Sequence, residues 1–322
     1  MKYAERLCLK MNKPILIYLV GLPASGKSTY AKELKDKGYN IHSSDSIREE
    51  LYGDENIQGD PKDVFDILYK RVIEDLRSGK NCVYDSTGLS SKRRMAFLNT
   101  ISHIDCKKIC LLFATPYEVC LERNKNRERK VPEEVIKRMY TSFNIPYFYE
   151  GWDEVKIIWS EFDKNKYSYF DYPEIYIEYD QHNSHHKLSL GEHMKVAHEL
   201  SLNFDNIYVE EAVSLHDIGK PFTATFFDAK GNPSSDCHYY NHENVSAYDS
   251  LFILKDSNDY FLESSEDYFE DTDILYICSL INLHMKPYTW KEEKTKEKYK
   301  KLLGEKMYED LMNLHYCDVN AH

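Results

Sequence analysis

Apolar and polar positions alternate in two different rhythms along the 322-residue chain. In the first half, short apolar runs stand between helically spaced stretches. The runs are ILIYLV (15–20), NCVYD (81–85), KICLLFA (108–114) and VKIIW (155–159). Between two of them, from Pro61 to Ser78, Val64, Leu68, Val72 and Leu76 recur every fourth residue. This spacing predicts a helix with one buried stripe, and the whole succession predicts a parallel sheet flanked by helices. From about Leu190 the pattern becomes helix after helix with few strand signals, which predicts an all-α second part. A Tyr- and Asp-rich stretch joins the two. The expected organisation is therefore an α/β domain over 1–165, a connector over 166–185 and an all-α domain over 186–322. The acidic and aromatic run at 256–273 reads as a solvated insertion.

Composition narrows the class. With 42% apolar and 30% charged residues the chain is that of a folded protein. No run approaches the roughly 18 apolar residues of a membrane span, and the first residues lack the apolar core of a signal peptide. A cytoplasmic protein with no membrane partner is the expectation, and the eight scattered cysteines fit free thiols in a reducing compartment. The net charge of −12 is unevenly divided. Residues 1–165 carry 28 Lys and Arg against 25 Asp and Glu, whereas residues 166–322 carry 14 against 29 and no arginine. Any basic footprint for phosphates belongs to the first half, and the acidic second half suits divalent metals better than long polyanions.

The residues GLPASGKST (21–29) follow the first apolar run and precede a helical pattern. Gly21, Gly26, Lys27 and Ser28 fit the G-x-x-x-x-G-K-[ST] loop in the strand–loop–helix setting that it requires. The glycines let backbone N–H groups wrap a phosphate, Lys27 reaches the outer phosphates, and Ser28 can hold Mg²⁺; Ser25 and Thr29 complete the loop. ATP or another nucleoside triphosphate is the expected ligand. Downstream, Asp45 and Arg48 stand three apart at a helix start, so they share a face. A carboxylate placed to take a proton from a hydroxyl, beside an arginine for a phosphate, suits phosphoryl transfer to an alcohol. Asp85 ends an apolar run and is followed by the basic residues Lys92 to Arg94. Arg123 and Arg127 are expected on one helical face, with Arg129 and Lys130 just beyond. An isolated basic helix is usually only solvated, but an arginine-bearing flap over the phosphates is the usual means of stabilising transferred charge.

The ordered succession of phosphate loop, D..R, D(S/T) and RN..R resembles the kinase domain of the phage-type polynucleotide 5'-kinases over roughly Ile15 to Phe143. The resemblance implies that Lys27 and Ser28 hold the triphosphate and Mg²⁺. By the same resemblance Asp45 is the general base on a 5'-hydroxyl, and Arg48 contacts the acceptor's 3'-phosphate. Asp85 supports the site, Arg127 stabilises the transferring phosphoryl group and Arg123 is a second flap arginine. Ser44, before the base, departs from the pattern.

The second half supplies His193, the pair His216 and Asp217, then His242, His284 and Asp318. Imidazole with carboxylate suits borderline metals such as Mn²⁺, Ni²⁺, Co²⁺, Fe²⁺ or Zn²⁺, whose use is to activate water near neutral pH. The order resembles the HD phosphohydrolase superfamily over about 180–322, and in particular the HD domain attached to bacterial CCA-adding enzymes. The resemblance implies a core site of His193, His216, Asp217 and Asp318. His242 and His284 would then form a second metal position or bind substrate phosphate, Lys220 would lie close to both, and His186 would pack nearby. The combined expectation is a bifunctional end-healing enzyme acting on nucleic-acid ends, RNA before DNA, upstream of a ligase. It would be a 5'-hydroxyl polynucleotide kinase and a 2',3'-cyclic phosphate or 2'-phosphate phosphoesterase. The alternatives are a metabolite or nucleoside kinase fused to an HD nucleotide phosphohydrolase, and a nucleotide-sensing regulator. Against the regulator stand Asp45, Arg48 and Arg127, since a pure switch needs no acceptor base.

Overall fold

The computed structural model describes residues 13–163, 166, 174–183, 187–261 and 269–322, with side chains 258–261 excepted. Five parallel strands form one sheet in the order β2-β3-β1-β4-β5. They are β1 (Ile15–Val20), β2 (Asn40–Ser43), β3 (Cys82–Asp85), β4 (Lys107–Ala114) and β5 (Glu154–Trp159). Strand β1 lies at the centre and pairs with both β3 and β4, with Ile17 opposite Val83 and Ile109. Its neighbours leave in opposite directions, which opens a crevice at the carboxyl ends of the strands.

Helices α1 (Lys27–Asp36), α2 (Ser44–Tyr52), α3 (Pro61–Arg77), α4 (Ser91–Thr100), α5 (Tyr117–Asn126) and α6 (Glu133–Tyr140) flank this sheet. The stripe expected on α3 is the buried one: Val64, Leu68, Val72 and Leu76. Asp60 caps that helix by accepting from the Lys62 N–H, and Pro61 sits where no N–H is needed.

The second half contains α7 (Leu190–Ser201), α8 (Ile207–Leu215), α9 (Lys220–Thr223), α10 (His242–Phe261), α11 (Asp271–Leu283), α12 (Glu293–Leu303) and α13 (Glu305–Asn320). The expectation of an all-α part is corrected by an antiparallel hairpin, β6 (Thr225–Phe227) with β7 (Pro233–His238). Its turn forms because Asp228 accepts from the N–H groups of Lys230 and Asn232, a local chemistry that helical periodicity does not register. The 256–273 run is not simply an insertion. Asp256 to Phe261 continue α10, 262–268 lie outside the described residues, and Asp271 and Asp273 accept hydrogen bonds from Trp159 and Tyr208. Much of the 166–185 connector, and His186, also lie outside the described residues.

One hydrophobic core runs through both halves, from Leu16 and Leu112 to Leu251 and Leu314. Where they meet, Asn144 and Asn282 both donate to Asn244 Oδ1, Tyr248 donates to the Thr115 carbonyl, and Tyr140 donates to Asp249 at 2.6 Å. Each of these polar groups is thus paired within the core.

Two candidate sites: a phosphate-loop cleft and a histidine–carboxylate centre

The loop after β1 curls back on itself. Ala24 and Gly26 both adopt left-handed φ, at 63° and 100°, and Gly26 caps α1. Successive N–H groups in such a loop converge toward an anion at the helix start. A Cβ on Gly21 would lie 2.6 Å from Ser25 Oγ and 3.0 Å from Phe113 Cβ, so the loop packs closely at this residue. Buried Lys27 donates to the carbonyls of Gly21 and Leu22 at 2.8 and 2.7 Å, and to Ser25 at 3.3 Å. Burial lowers its pKa to about 8, against the pull of Asp85. Burial raises Asp85 to about 6, with Lys27 opposing. A triphosphate fits this loop, because its oxygens can replace the loop carbonyls that Lys27 now contacts. Ser28, beside them, can reach an accompanying Mg²⁺.

Asp45 lies in the first turn of α2, where Ser43 accepts its N–H. Arg48 donates to Asp45 Oδ1 at 2.9 Å, as the three-residue spacing predicts. These groups line one cleft of about 1490 Å³ together with Ser28, Thr29, Asp85, Arg123 and Arg127. One expectation needs correction. Arg123 and Arg127 do not share a helical face, because α5 ends at Asn126 and Arg127 is already extended, at φ −92° and ψ 156°. Both still reach the cleft. Of the basic run Lys92 to Arg94, Arg94 is fully buried and cannot meet a substrate phosphate. It donates to both oxygens of Glu150 at 2.7 and 2.6 Å, and to the carbonyls of Gly88 and Asn144.

The cleft contains one participant to which the sequence reading gave no role. Arg129 donates to both oxygens of Asp45, at 2.6 and 3.3 Å, and to Asn56 Oδ1 and the Glu55 carbonyl. Its position in RNKNRER, two beyond Arg127, is the one signal that could have found it.

In the second half, His193, His216, Asp217 and Asp318 bring one ligand atom each to within 4.8 Å of one another, and Asp217, His242 and His284 form a second such set. Asp217 belongs to both. His193 comes from α7, which begins with a Ser189–Glu192 capping box. His216 and His284 cap the C-termini of α8 and α11, His242 begins α10, and Asp318 lies on α13. Gly219 allows the approach of α10, since a Cβ there would lie 2.5 Å from the His242 carbonyl oxygen.

Each imidazole is oriented from behind. The Nδ1 atoms of His193, His216, His242 and His284 sit 3.0, 2.6, 2.8 and 2.7 Å from the carbonyl oxygens of Ala321, Val213, Tyr239 and Ile281. A carbonyl only accepts, so Nδ1 carries the proton and every Nε2 faces inward, a lone pair wherever the ring is neutral; against its burial, the carboxylates of Asp217 and Asp318 raise His216 to about 10. Nε2 of His193 then stands 3.3 Å from that of His216, and Nε2 of His242 stands 3.2 Å from that of His284. Burial and the neighbouring histidines push His284 down to about 3, and the Asp217 carboxylate is buried between the two histidine pairs. Imidazole nitrogens and carboxylate oxygens converging within 4.8 Å of one another fit a divalent cation of borderline softness. Lys220 Nζ lies 2.7 Å from Asp217 Oδ2 and donates to Gln181, while Tyr288 donates to Asp318 at 2.9 Å. Gln181 and Tyr288 were not marked by the sequence. Of the remaining described histidines, none joins either set.

Comparison with known proteins places the first half. The AAA_33 family model, described as an AAA domain, matches residues 16–146. The L-seryl-tRNA(Sec) kinase of Methanococcus maripaludis is 30% identical over 185 residues, covering 55% of this chain and 69% of that relative. The chain belongs to this family of P-loop kinases. A protein of Autographa californica nuclear polyhedrosis virus, named as a bifunctional polynucleotide kinase/RNA ligase, is 28% identical over 158 residues. That match covers 44% of this chain but 22% of the viral protein. Among solved structures, a chain of the Pnkp1/Rnl/Hen1 complex is similar at 24% identity and a TM-score of 0.32, covering 35% of this chain and 39% of that one. The P-loop kinase assignment implies ATP and Mg²⁺ as ligands of the cleft. Among the described residues no helix is long and apolar enough to cross a membrane.

Proposed function

We propose that this protein is a bifunctional nucleic-acid end-healing enzyme. A kinase domain, residues 1–165, transfers the γ-phosphoryl group of ATP to a 5'-hydroxyl, and an HD phosphohydrolase domain, residues 186–322, hydrolyses a 2',3'-cyclic phosphate or 2'-phosphate at the other end. The observation that carries the reading is the meeting of Lys27, Asp45, Arg123 and Arg127 in one cleft. Lys27 and the loop amides bind the phosphates, Asp45 takes the acceptor's proton, and the two flap arginines face the charge that develops on the transferred group. The two relatives named above carry RNA in their names, which supports an RNA-borne acceptor before DNA.

In the helical half, a cation held by His193, His216, Asp217 and Asp318 would supply the charge that makes water a nucleophile near neutral pH. Lys220, beside Asp217, would bind the phosphate of the substrate. A small terminal phosphate suits this half because it has no arginine with which to hold a long strand. The same acidity favours a second reading, a metabolite or nucleoside kinase joined to an HD nucleotide phosphohydrolase.

The experiment is incubation with ATP, Mg²⁺ and Mn²⁺ or Ni²⁺ and a short RNA bearing a 5'-hydroxyl and a 2',3'-cyclic phosphate, with both ends read by mass. The expected result is a gained 5'-phosphate, lost in Lys27→Ala, and an opened or removed 3'-end phosphate, lost in Asp217→Ala. If neither end changes while free nucleosides or nucleotides are processed, the second reading replaces the first.

A further inference from the structure

The carboxylate read as the acceptor base is not free. Asp45 Oδ1 takes Arg48 at 2.9 Å and Arg129 at 3.3 Å, and Oδ2 takes Arg129 at 2.6 Å. Both oxygens of this carboxylate are thus already engaged by guanidinium N–H groups, and an incoming hydroxyl must displace one of them to reach Asp45. Arg129 is tied down further by Asn56 Oδ1, by the Glu55 carbonyl and by Glu55 Oε2 at 3.4 Å. Residues 55 and 56 line the same cleft, so this one side chain joins the base, the segment after α2 and the flap. Arg48, by contrast, leaves its Nε buried without a partner.

We propose that Arg129 is a latch on Asp45 that an acceptor releases only by offering a phosphate in exchange for the carboxylate. This inference rests on the kinase reading above and adds the residue that selects the acceptor. A phosphate matches the planar guanidinium fork as well as a carboxylate does, whereas a neutral sugar hydroxyl offers no charge to replace it. An acceptor with a phosphate near its hydroxyl therefore draws Arg129 away and is held by it. Asp45 is then free to take the hydroxyl proton as the acceptor oxygen bonds to the γ-phosphorus, the bond to the β,γ-bridging oxygen breaks and ADP leaves. A bare nucleoside meets a closed latch. Arg129 is thus a positioning residue that acts through Asp45 and the acceptor phosphate.

The test compares adenosine with adenosine 3'-monophosphate in the wild-type protein, Arg129→Ala and Arg129→Lys. Steady-state kinetics with ATP are run beside calorimetric binding without ATP. Charged hydrogen bonds of this kind set the expected effect at about tenfold or more. In Arg129→Ala the preference in kcat/KM for the 3'-phosphate should fall by at least about tenfold, with the bare nucleoside improved or unchanged, and binding of the 3'-monophosphate should weaken similarly; Arg129→Lys should recover part of both. A ratio and an affinity that survive Arg129→Ala overturn the latch, as does an equal loss for both acceptors, which would mark a tether of the 55–56 segment alone. If the wild-type protein phosphorylates neither compound, the kinase reading fails on its own terms, and the binding comparison still decides the latch.

Discussion

Replacing Asp249 with asparagine should make the protein more stable, and increasingly so as pH rises. Asp249 sits on α10 where the two halves meet, accepting from Tyr140 of α6 at 2.6 Å. Burial raises its pKa from the ordinary 3.8 to about 7, with the Tyr140 hydrogen bond opposing and Glu118 adding to the rise. The folded protein therefore holds this proton more tightly than the unfolded chain does. Its contribution is fully present below pH 3.8, declines as pH climbs, and is lost above about 7. A rise of that size is worth on the order of 4 kcal/mol once the carboxylate is fully charged. Asparagine stays neutral, and its carbonyl can still accept from Tyr140, so Asp249→Asn removes the charge without removing the bond. Urea unfolding of both proteins at pH 5 and pH 8.5 checks this. The advantage of the variant should be about 2 to 3 kcal/mol larger at pH 8.5. An advantage that is the same at both values, or a variant less stable at pH 8.5, refutes the account of a buried charge at this junction.

Glu150→Gln should cost about 3 to 5 kcal/mol in denaturant unfolding, because it leaves the fully buried Arg94 guanidinium without its counter-charge and weakens the bond from Trp152; a loss under about 1 kcal/mol would show that Arg94 finds other compensation. Asp217→Asn should abolish Mn²⁺ uptake measured by elemental analysis, since both ligand sets share that residue, whereas His284→Ala should remove only the ion of the second set; equal uptake by the two variants would show that the sets do not bind ions independently.

Faces were legible in the sequence and ends were not. The α3 stripe and the run at 15–20 follow from spacing, and the structure buries them as periodicity requires. Asp45 and Arg48 meet because three residues make a turn. Extending the same rule to Arg123 and Arg127 failed because it assumed a helix past Asn126, and the chain leaves the helix at the very residue the rule needed. Arg94 belongs to a basic run in sequence, but its partner Glu150 lies 56 positions away, and no local pattern relates them. Arg129 went without a role for the same reason, since its carboxylate partner is 84 positions distant.

The functional groups cluster at element ends because ends are where the backbone has unspent hydrogen-bonding capacity. Lys27 begins α1 and Asp45 stands in the first turn of α2, both at helix N-termini where N–H groups and the dipole favour anions. His216 and His284 stand at helix C-termini, each within hydrogen-bonding distance of the carbonyl three residues back, at 2.6 and 2.7 Å. That contact uses a carbonyl the helix leaves over, fixes the proton on Nδ1 and turns Nε2 toward Asp217. N-termini thus build the phosphate-loop cleft, and C-termini help to build the histidine–carboxylate centre.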